Sequence, residues 1–158
     1  MSYVSRTLGN NERILYSTGY HWLYWLGTTI LLAPFLAVAI GGLPYGGWDY
    51  FFLVLAFIPF IIGIRSFVHG IALEIAVTSD RFVKKTGLIA IQTEEVSLDK
   101  IEEVNIAESI MGRIFGFGTV QVHGTGAGDI IVKMVAYPVH LRRQIQTARE
   151  QLRNAKGE

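Results

Sequence analysis

The sequence contains no cysteine, which excludes disulfide bonds, thiolate nucleophiles and cysteine-based zinc sites. Charge is also scarce: 17% of the 158 residues are charged, and the formal net charge is +1. A nucleic-acid-binding protein needs a clustered basic surface, and this composition has no excess of positive charge from which to build one. The sequence therefore predicts no nucleic-acid partner.

Two long stretches lack charge altogether, namely residues 22–43 and residues 50–64. A bilayer core about 30 Å thick requires about 20 consecutive apolar residues in a helix. The sequence therefore predicts a two-helix transmembrane hairpin over residues 21–69, with one span at about 22–43 and the other at about 48–68. Because the first apolar run begins only at Trp22 and a second run follows it, we interpret it as a retained anchor rather than a cleaved signal peptide.

Lysine and arginine are missing from the segment 41–49 that connects the two predicted spans. Basic residues flank the hairpin on its other side, where the positive-inside rule places the cytoplasm. These residues are Arg6, Arg13, Arg65, Arg81, Lys84 and Lys85. The sequence therefore predicts that both termini are cytoplasmic.

The polar remainder shows the pattern of a small β domain followed by one helix. Ile71, Leu73, Ile75 and Val77 alternate with smaller or polar residues, which is typical of a half-buried strand. Similar patterns predict further strands at 12–20, 81–86, 88–97, 101–106, 119–123 and 130–135, and a helical turn at 108–115. Pro138 and the apolar stripe Leu141, Ile145, Ala148 and Leu152 predict a helix over 138–153. The fold class is thus α+β.

Three segments carry a resemblance to a known family: AVTSDRFVKKTGL at 76–88, VSLDKIEEV at 96–104 and GRIFGFGTVQV at 112–122. They resemble the strands of bacterial pleckstrin-homology-like (PH-like) domains, and residues 8–22 resemble the membrane-anchored branch of that family. The resemblance implies a seven-stranded, strongly bent sheet, a sandwich or barrel that the C-terminal helix closes at one end. It further implies that residues 70–158 form this domain and that the segment 1–20 contributes a strand, so that the hairpin interrupts the domain.

Several cations are candidates for contact with lipid headgroups, because the anionic cytoplasmic leaflet attracts basic side chains near its surface. The candidates are Arg13, Arg65, Lys84, Lys85 and Arg113. PH domains that bind phosphoinositides use a basic cluster in their first hairpin, whereas here the cations stand in another register. Simple snorkelling of these side chains at the interface is the alternative interpretation.

The glycine-rich segment GTGAG at 124–128 superficially resembles a phosphate-binding loop. Such loops are followed by a helix and end in Lys-Ser/Thr, whereas here a predicted strand follows. We therefore interpret it as a hairpin turn, with Gly124, Gly126 and Gly128 as candidate partner-binding residues. Exposed strand edges offer a second route to a protein partner or to a homo-oligomer, by β-augmentation.

Small residues fall four apart on the first predicted span, at Ala33, Ala37 and Gly41. Such a ridge lets two helices approach closely. Packing against the second span and dimerisation of two chains both satisfy it, and the sequence leaves the choice open.

No set of residues with catalytic or metal-binding spacing is present. The four histidines, His21, His69, His123 and His140, are scattered. The acidic pairs at 94–95 and 102–103 are neighbours on predicted strands, where adjacent side chains point to opposite faces, so we interpret them as solvated edge residues. The sequence predicts no enzyme activity, no metal and no cofactor.

Together these features predict a multi-pass protein of the bacterial inner membrane, whose PH-like module binds a protein or lipid partner without catalysis. The alternative is a small subunit of a transporter or channel that acts through its hairpin. That function calls for polar groups inside the spans, and only Thr28 and Thr29 are available.

Overall fold

The computed structural model describes residues 3–41, 49–126 and 128–157. The chain divides into two compact units. One unit, called here the β domain, consists of residues Met1–His21 and Ala72–Glu158, and the other, called the helix pair, consists of Trp22–Ile71. Segments from both sides of the helix pair therefore complete the β domain.

The helix pair consists of α2 (Trp22–Gly41) and α3 (Asp49–Ala72), which run antiparallel. The Tyr24 hydroxyl donates a hydrogen bond to the Ser66 carbonyl at 2.5 Å, and the rings of Phe35 and Phe60 stack with centroids 3.9 Å apart. Gly63 gives the helices room, because a Cβ there would lie 2.8 Å from Leu32 Cδ2. The close approach of the two helices thus depends on the missing side chain at Gly63 of α3.

Two residues of the predicted ridge, Ala33 and Ala37, do not take part in this contact. Ala33 and Ala37 are exposed on α2, and the residues that let the helices approach are Gly63 and Gly70 of α3. For these two residues the structure therefore gives no packing against the second helix, and dimerisation of two chains stays a prediction.

Among the described residues, one helix is long and apolar enough to cross a membrane: Val54–Ala72, of which 17% is buried. Trp22–Val38 is a shorter apolar helix by the same measure. Residues 42–48, which include the predicted loop and the end of the first span, lie outside the described residues. Two membrane spans therefore remain a prediction.

The first sheet of the β domain is antiparallel, with the strand order β1-β2-β3-β4. Its strands are β1 (Ile14–Thr18), β2 (Glu74–Thr78), β3 (Arg81–Thr86) and β4 (Gln92–Ser97). The prediction of a strand from Ile71 was wrong at its start, because no helix-breaking residue follows Gly70 and α3 continues to Ala72. The predicted strand 88–97 was too long, since residues 88–91 form an irregular loop.

The second sheet is also antiparallel, with the order β5-β6-β7, and a short helix and a long helix accompany it. After a 3₁₀ turn (Leu98–Lys100) come β5 (Ile101–Ala107), α4 (Ile110–Phe115), β6 (Phe117–Gly124), β7 (Gly128–Ala136) and α5 (Pro138–Lys156). The predicted stripe on α5 is confirmed, because Leu141, Ile145 and Ala148 are buried in the main core between the sheets. The fold is thus α+β, with antiparallel sheets and a C-terminal helix.

A second, smaller core covers the opposite face of the first sheet. Helix α1 (Tyr3–Arg6) places Val4 against Ala76 and Val83. The Glu74 carboxylate accepts hydrogen bonds from the backbone N–H groups of Tyr3 and Val4, at 2.9 and 3.2 Å, and so fixes the start of this helix. Strand β2 is therefore buried on both faces, which the alternating pattern did not predict.

The register of the first sheet defines two ends of the β domain. At one end Thr18 pairs with Ile75 and Glu74 pairs with Lys85, so the loop 87–91 lies beside the points where the chain leaves for the helix pair and returns from it. We call this the connection end. The opposite end, called the far end, holds the pair Ile14 and Thr78. Because a strand rises about 3.3 Å per residue, the two ends of a five-residue strand lie about 15 Å apart.

The second sheet has the same two ends. The His21 N–H donates to the Met134 carbonyl at 2.9 Å and Tyr20 forms a bridge with Val135, so the end of β7 and the start of α5 lie at the connection end. The start of β6, and α4 before it, lie there too, because Phe117 pairs with Ala136. The glycine-rich turn and the 3₁₀ turn lie at the far end.

Candidate functional site

The structure separates the five cations predicted to contact lipid headgroups. Lys85 and Arg113 lie at the connection end, whereas Arg13 precedes β1 and lies at the far end beside Ser79. Lys84 is partly exposed and forms an ion pair with Glu94 at 2.9 Å. Arg65 is exposed on α3, in the helix pair. These residues therefore do not form one basic cluster, and their role in lipid binding stays a prediction.

Exposed apolar side chains occupy the connection end at two places. The first is the loop 87–91, where Leu88, Ile89 and Ile91 are all exposed, Ile89 to 96%. Gly87 allows this loop to turn tightly, because its φ is +81° and a Cβ there would collide with the Ala90 carbonyl oxygen. Large apolar residues at such exposure are not expected on a tip that faces only water.

The second place is α4, whose residues Ile110, Met111 and Ile114 are exposed, Ile110 to 81%. Both ends of this short helix are fixed. Ser109 Oγ accepts from the Gly112 N–H at 3.0 Å, and the Gly116 N–H, in a left-handed residue with φ of 80°, donates to the Gly112 carbonyl at 2.7 Å. The helix therefore holds its apolar side chains outward.

Replacing Gly112 by alanine tests how firmly α4 is seated. The new Cβ would collide with the Phe117 carbonyl oxygen, which belongs to the backbone of β6 and cannot easily move. We expect Gly112→Ala to lower the free energy of unfolding of the β domain by about 1–3 kcal/mol, measured by pulse proteolysis in urea on the full chain in detergent. Gly19→Ala is the matched control, because nothing lies within 4 Å of its Cβ position. Equal stability of the two variants would contradict the described packing.

A cleft of about 270 Å³ lies beside α4 at the same end. Its lining includes Glu108, Tyr137, His140 and Arg143. Tyr137 stands in the left-handed region with φ of 51°, and its N–H donates to the Gly116 carbonyl at 2.9 Å, so its exposed ring stays next to the end of α4. An aromatic ring and a guanidinium group thus accompany the exposed apolar residues.

At the far end, a buried ion pair joins the N-terminal segment to the first sheet. Arg81 donates to both carboxylate oxygens of Glu12, at 2.8 and 2.9 Å, and also to Glu95 at 2.6 Å and to the Thr7 carbonyl at 2.6 Å. The Glu12 side chain is 4% exposed, and it also accepts from the Thr78 hydroxyl at 2.6 Å. Every oxygen of this buried carboxylate therefore has a partner.

Two opposing influences set the pKa of Glu12. Burial disfavours the charged carboxylate, but the hydrogen bonds from Arg81, Thr78 and Gly9, together with the Arg81 charge, outweigh it and hold the pKa of Glu12 below its ordinary value. The bond to Glu12 raises the pKa of Arg81 in turn, although burial opposes the shift. This pair binds the fold together and is not a titrating acid or base at neutral pH.

The acidic residues of β4 are not simply solvated, as the sequence had suggested. Glu95 pairs with Arg81 and Glu94 pairs with Lys84, each across the ladder between β3 and β4. The prediction failed because it considered only neighbours on one strand, and these partners stand ten or more residues away.

The glycine-rich turn has ordinary conformational reasons for its glycines. A Cβ at Gly124 would collide with the Val96 side chain, and Gly126 and Gly128 have φ of +78° and +75°. The Thr125 hydroxyl donates to Glu102 at 2.9 Å. A partner-binding role for Gly124, Gly126 and Gly128 stays a prediction.

A larger cleft of about 660 Å³ lies at the far end, between the 3₁₀ turn and α5. Its charged lining is mixed, with Asp99 and Glu150 facing the same space as Arg149 and Arg153. This balance of sign gives no preference for an anion or a cation. Among the described residues, no group of three or more histidines or carboxylates is placed to hold a metal ion.

In the comparison with protein families, the family described as "Bacterial PH domain" matches residues 23–156. The match covers nearly all of the helix pair and of the part of the β domain that follows it. Comparison with curated proteins and with solved structures finds no match.

Proposed function

This chain belongs to the bacterial PH domain family, and from that premise we propose that it is a membrane-anchored binding module. PH-like domains are typically binding modules without catalysis, which supports a non-enzymatic role. The proposal adds that the helix pair crosses the inner membrane twice, that both termini are cytoplasmic, and that the β domain binds a lipid or protein partner there.

The observation that carries the proposal is the apolar outer surface of the helix pair. In the core helix of a soluble protein most residues are buried, whereas 17% of Val54–Ala72 is buried and most of its large side chains face outward. Exposed apolar residues of this kind include Val54, Leu55, Ile58, Ile61, Ile62, Ile64, Phe67 and Val68, with Leu26, Ile30 and Leu36 on the other helix. Lipid is the solvent in which such a surface is stable.

The helix pair offers little to a transport function. The hydroxyls of Thr28 and Thr29 donate to the carbonyls of Tyr24 and Trp25 of their own helix, at 3.0 and 2.9 Å. Since these hydroxyls already donate within α2, they give a polar path no support, and we propose the anchor as the role of the helices. Tethering raises the effective concentration of the β domain at its membrane partner to about the millimolar range.

A protein partner or a second copy of the chain has an edge strand available. The order of the first sheet leaves β4 with a neighbour on one side only, and β5 is likewise an edge of the second sheet. An additional strand pairing with either edge is the β-augmentation that the proposal allows. The mass of the detergent-purified protein reports whether a second copy or another protein is bound.

The absence of cysteine makes topology simple to test, because each introduced cysteine is the only thiol in the chain. We expect the full chain to stay in the membrane after alkaline carbonate extraction. A membrane-impermeant maleimide should label Gly46→Cys in intact spheroplasts, and should label Thr125→Cys only after permeabilisation.

The cysteine-free parent is the control for background labelling. Release of the chain by carbonate would contradict membrane crossing. Labelling of Thr125→Cys in intact spheroplasts would contradict the cytoplasmic location of the β domain while leaving the anchor in place.

A further inference from the structure

The connection end of the β domain carries more exposed apolar surface than is expected of a surface that faces only water. The loop 87–91 and α4 belong to different sheets, yet the register brings both to the end where the chain passes into the helix pair. The chain leaves the β domain after His21 and returns to it at Ala72. Two separate apolar tips therefore lie at the end of the domain where the chain enters and leaves it.

The charges at this end favour an anionic surface. Lys85 and Arg113 have no ion-pair partner among the described residues, whereas the acidic groups nearby are largely engaged. Glu94 pairs with Lys84, and Glu74 accepts from the start of α1, which leaves Glu108 as the unengaged carboxylate of this end. The first turns of α5 add Arg142 and Arg143.

The far end has a different composition. It holds carboxylates that are exposed or paired within the domain, and its exposed large apolar residues are Ile14 (38%) and Leu15 (40%) at the start of β1. The described residues of the glycine-rich turn and of the 3₁₀ turn add none. The acidic residues of the far end include Asp80, Glu95, Asp99, Glu102 and Asp129. Charges of both signs therefore occur at the far end, where Arg13, Arg149 and Arg153 accompany the carboxylates, and the two apolar tips are what distinguishes the connection end.

From this placement we infer that the connection end is a lipid-contacting surface in which the loop 87–91 and α4 insert their apolar side chains into the bilayer interface, while Lys85 and Arg113 contact anionic headgroups. This inference rests on the proposed function, since it takes the helix pair to be in the membrane. Insertion at two tips holds the domain in one orientation, with its far end directed to the cytoplasm. The observations favour lipid over a protein occupant because short apolar tips flanked by cations match the boundary between acyl chains and headgroups.

The test uses an environment-sensitive fluorophore attached to single cysteines of the full chain, reconstituted in vesicles of phosphatidylglycerol and phosphatidylcholine. Ile89→Cys and Met111→Cys probe the two tips, and Thr125→Cys at the far end is the matched control. We expect blue-shifted emission at positions 89 and 111, with most of it lost when the vesicles contain lipids spin-labelled near the headgroup. The probe at position 125 should keep its emission.

A second pair of variants separates insertion from folding. Ile89→Asp and Ile114→Asp change only exposed side chains, so the domain should stay folded. Ile89→Asp is combined with the probe at Met111→Cys, and Ile114→Asp with the probe at Ile89→Cys. In each case the probe on the unchanged tip should lose at least part of its quenching by lipid. One contradicting result is that, in chains that resist carbonate extraction, spin-labelled lipid quenches the probes at both tips no more than it quenches the probe at position 125. That result would overturn the inference and leave the anchor intact. Blue-shifted emission without quenching by lipid would mean that protein covers the tips, which also overturns it. Extraction by carbonate would instead overturn the proposed function.

Discussion

Replacing Arg81 by leucine is expected to lower the free energy of unfolding of the β domain by about 3 kcal/mol, the lower end of the range for breaking a buried pair, because Arg81 is itself partly exposed. The loss comes from Glu12, whose carboxylate stays buried without its charged partner. Pulse proteolysis of the full chain in detergent and urea measures the effect. The double variant Glu12→Gln, Arg81→Leu should recover part of it, since no buried charge remains unpaired.

The pair of Lys84 and Glu94 provides the matched control on the same two strands. Both of its side chains are more accessible than Glu12, and we expect Glu94→Gln to cost at most about 1 kcal/mol. Equal losses from Arg81→Leu and Glu94→Gln would show that the burial of Glu12 has no energetic weight.

The pair of Glu12 and Arg81 also makes the stability of the β domain depend on pH in one direction. The pKa of Glu12 in the folded chain lies below the ordinary value of 4.5, so its contribution is fully present above pH 4.5. The contribution is lost as the pH falls from there through the lower folded pKa, because the unfolded chain binds the proton more readily. In Glu12→Gln this part of the acid dependence should disappear.

Phe82→Ala is expected to lower the free energy of unfolding of the β domain by about 3–5 kcal/mol, because it removes the largest fully buried side chain and leaves a cavity in the main core. The adjacent residue Val83 points to the opposite face, into the small core beneath α1. We expect Val83→Ala to cost about 1–2 kcal/mol, which corresponds to two buried methyl groups. The comparison uses global unfolding measured by pulse proteolysis and local opening measured by amide hydrogen exchange.

The two substitutions should differ in kind as well as in size. Phe82→Ala should speed exchange throughout both sheets, whereas Val83→Ala should speed it mainly in α1 and in the outer edge of the first sheet. A uniform increase in exchange in both variants would mean that α1 and the main core unfold as one unit.

Local patterns in the sequence were sufficient to predict most elements of the β domain. The bounds Arg81–Thr86 of β3 follow from a β-branched and aromatic run between Asp80 and Gly87, and Pro138 marks the start of α5. These signals depend on residues a few positions apart, and tertiary contacts did not override them.

Features that depend on distant residues were missed. Arg81 and Glu12 stand 69 positions apart, and no periodicity connects them. Val4 lies in a segment that looks polar and unstructured, and its burial depends on Ala76 and Val83 of strands formed much later in the chain. Such contacts follow from strand register, which the sequence did not reveal.

Arg13 shows how strand register separates cations that lie on the same side of the predicted spans in the sequence, although its contact with lipid stays a prediction. It stands nine positions before Trp22, which suggested a place near the predicted membrane face. Strand β1 lies between them and runs from the far end to the connection end, so Arg13 lies at the far end of the β domain. The register of β1 with β2, rather than composition, settles its position.

The pairing of β1 with β2 has a consequence for the order of events on the ribosome. Strand β1 is synthesised before both helices and its partner after them, so the first sheet cannot close until the helix pair has emerged. If the helices enter the bilayer as they are made, insertion is complete before the domain can fold, and the N-terminal strand waits unpaired in the meantime. In a chain whose helices fail to insert, the apolar segment would remain in the connection between two neighbouring strands of one sheet.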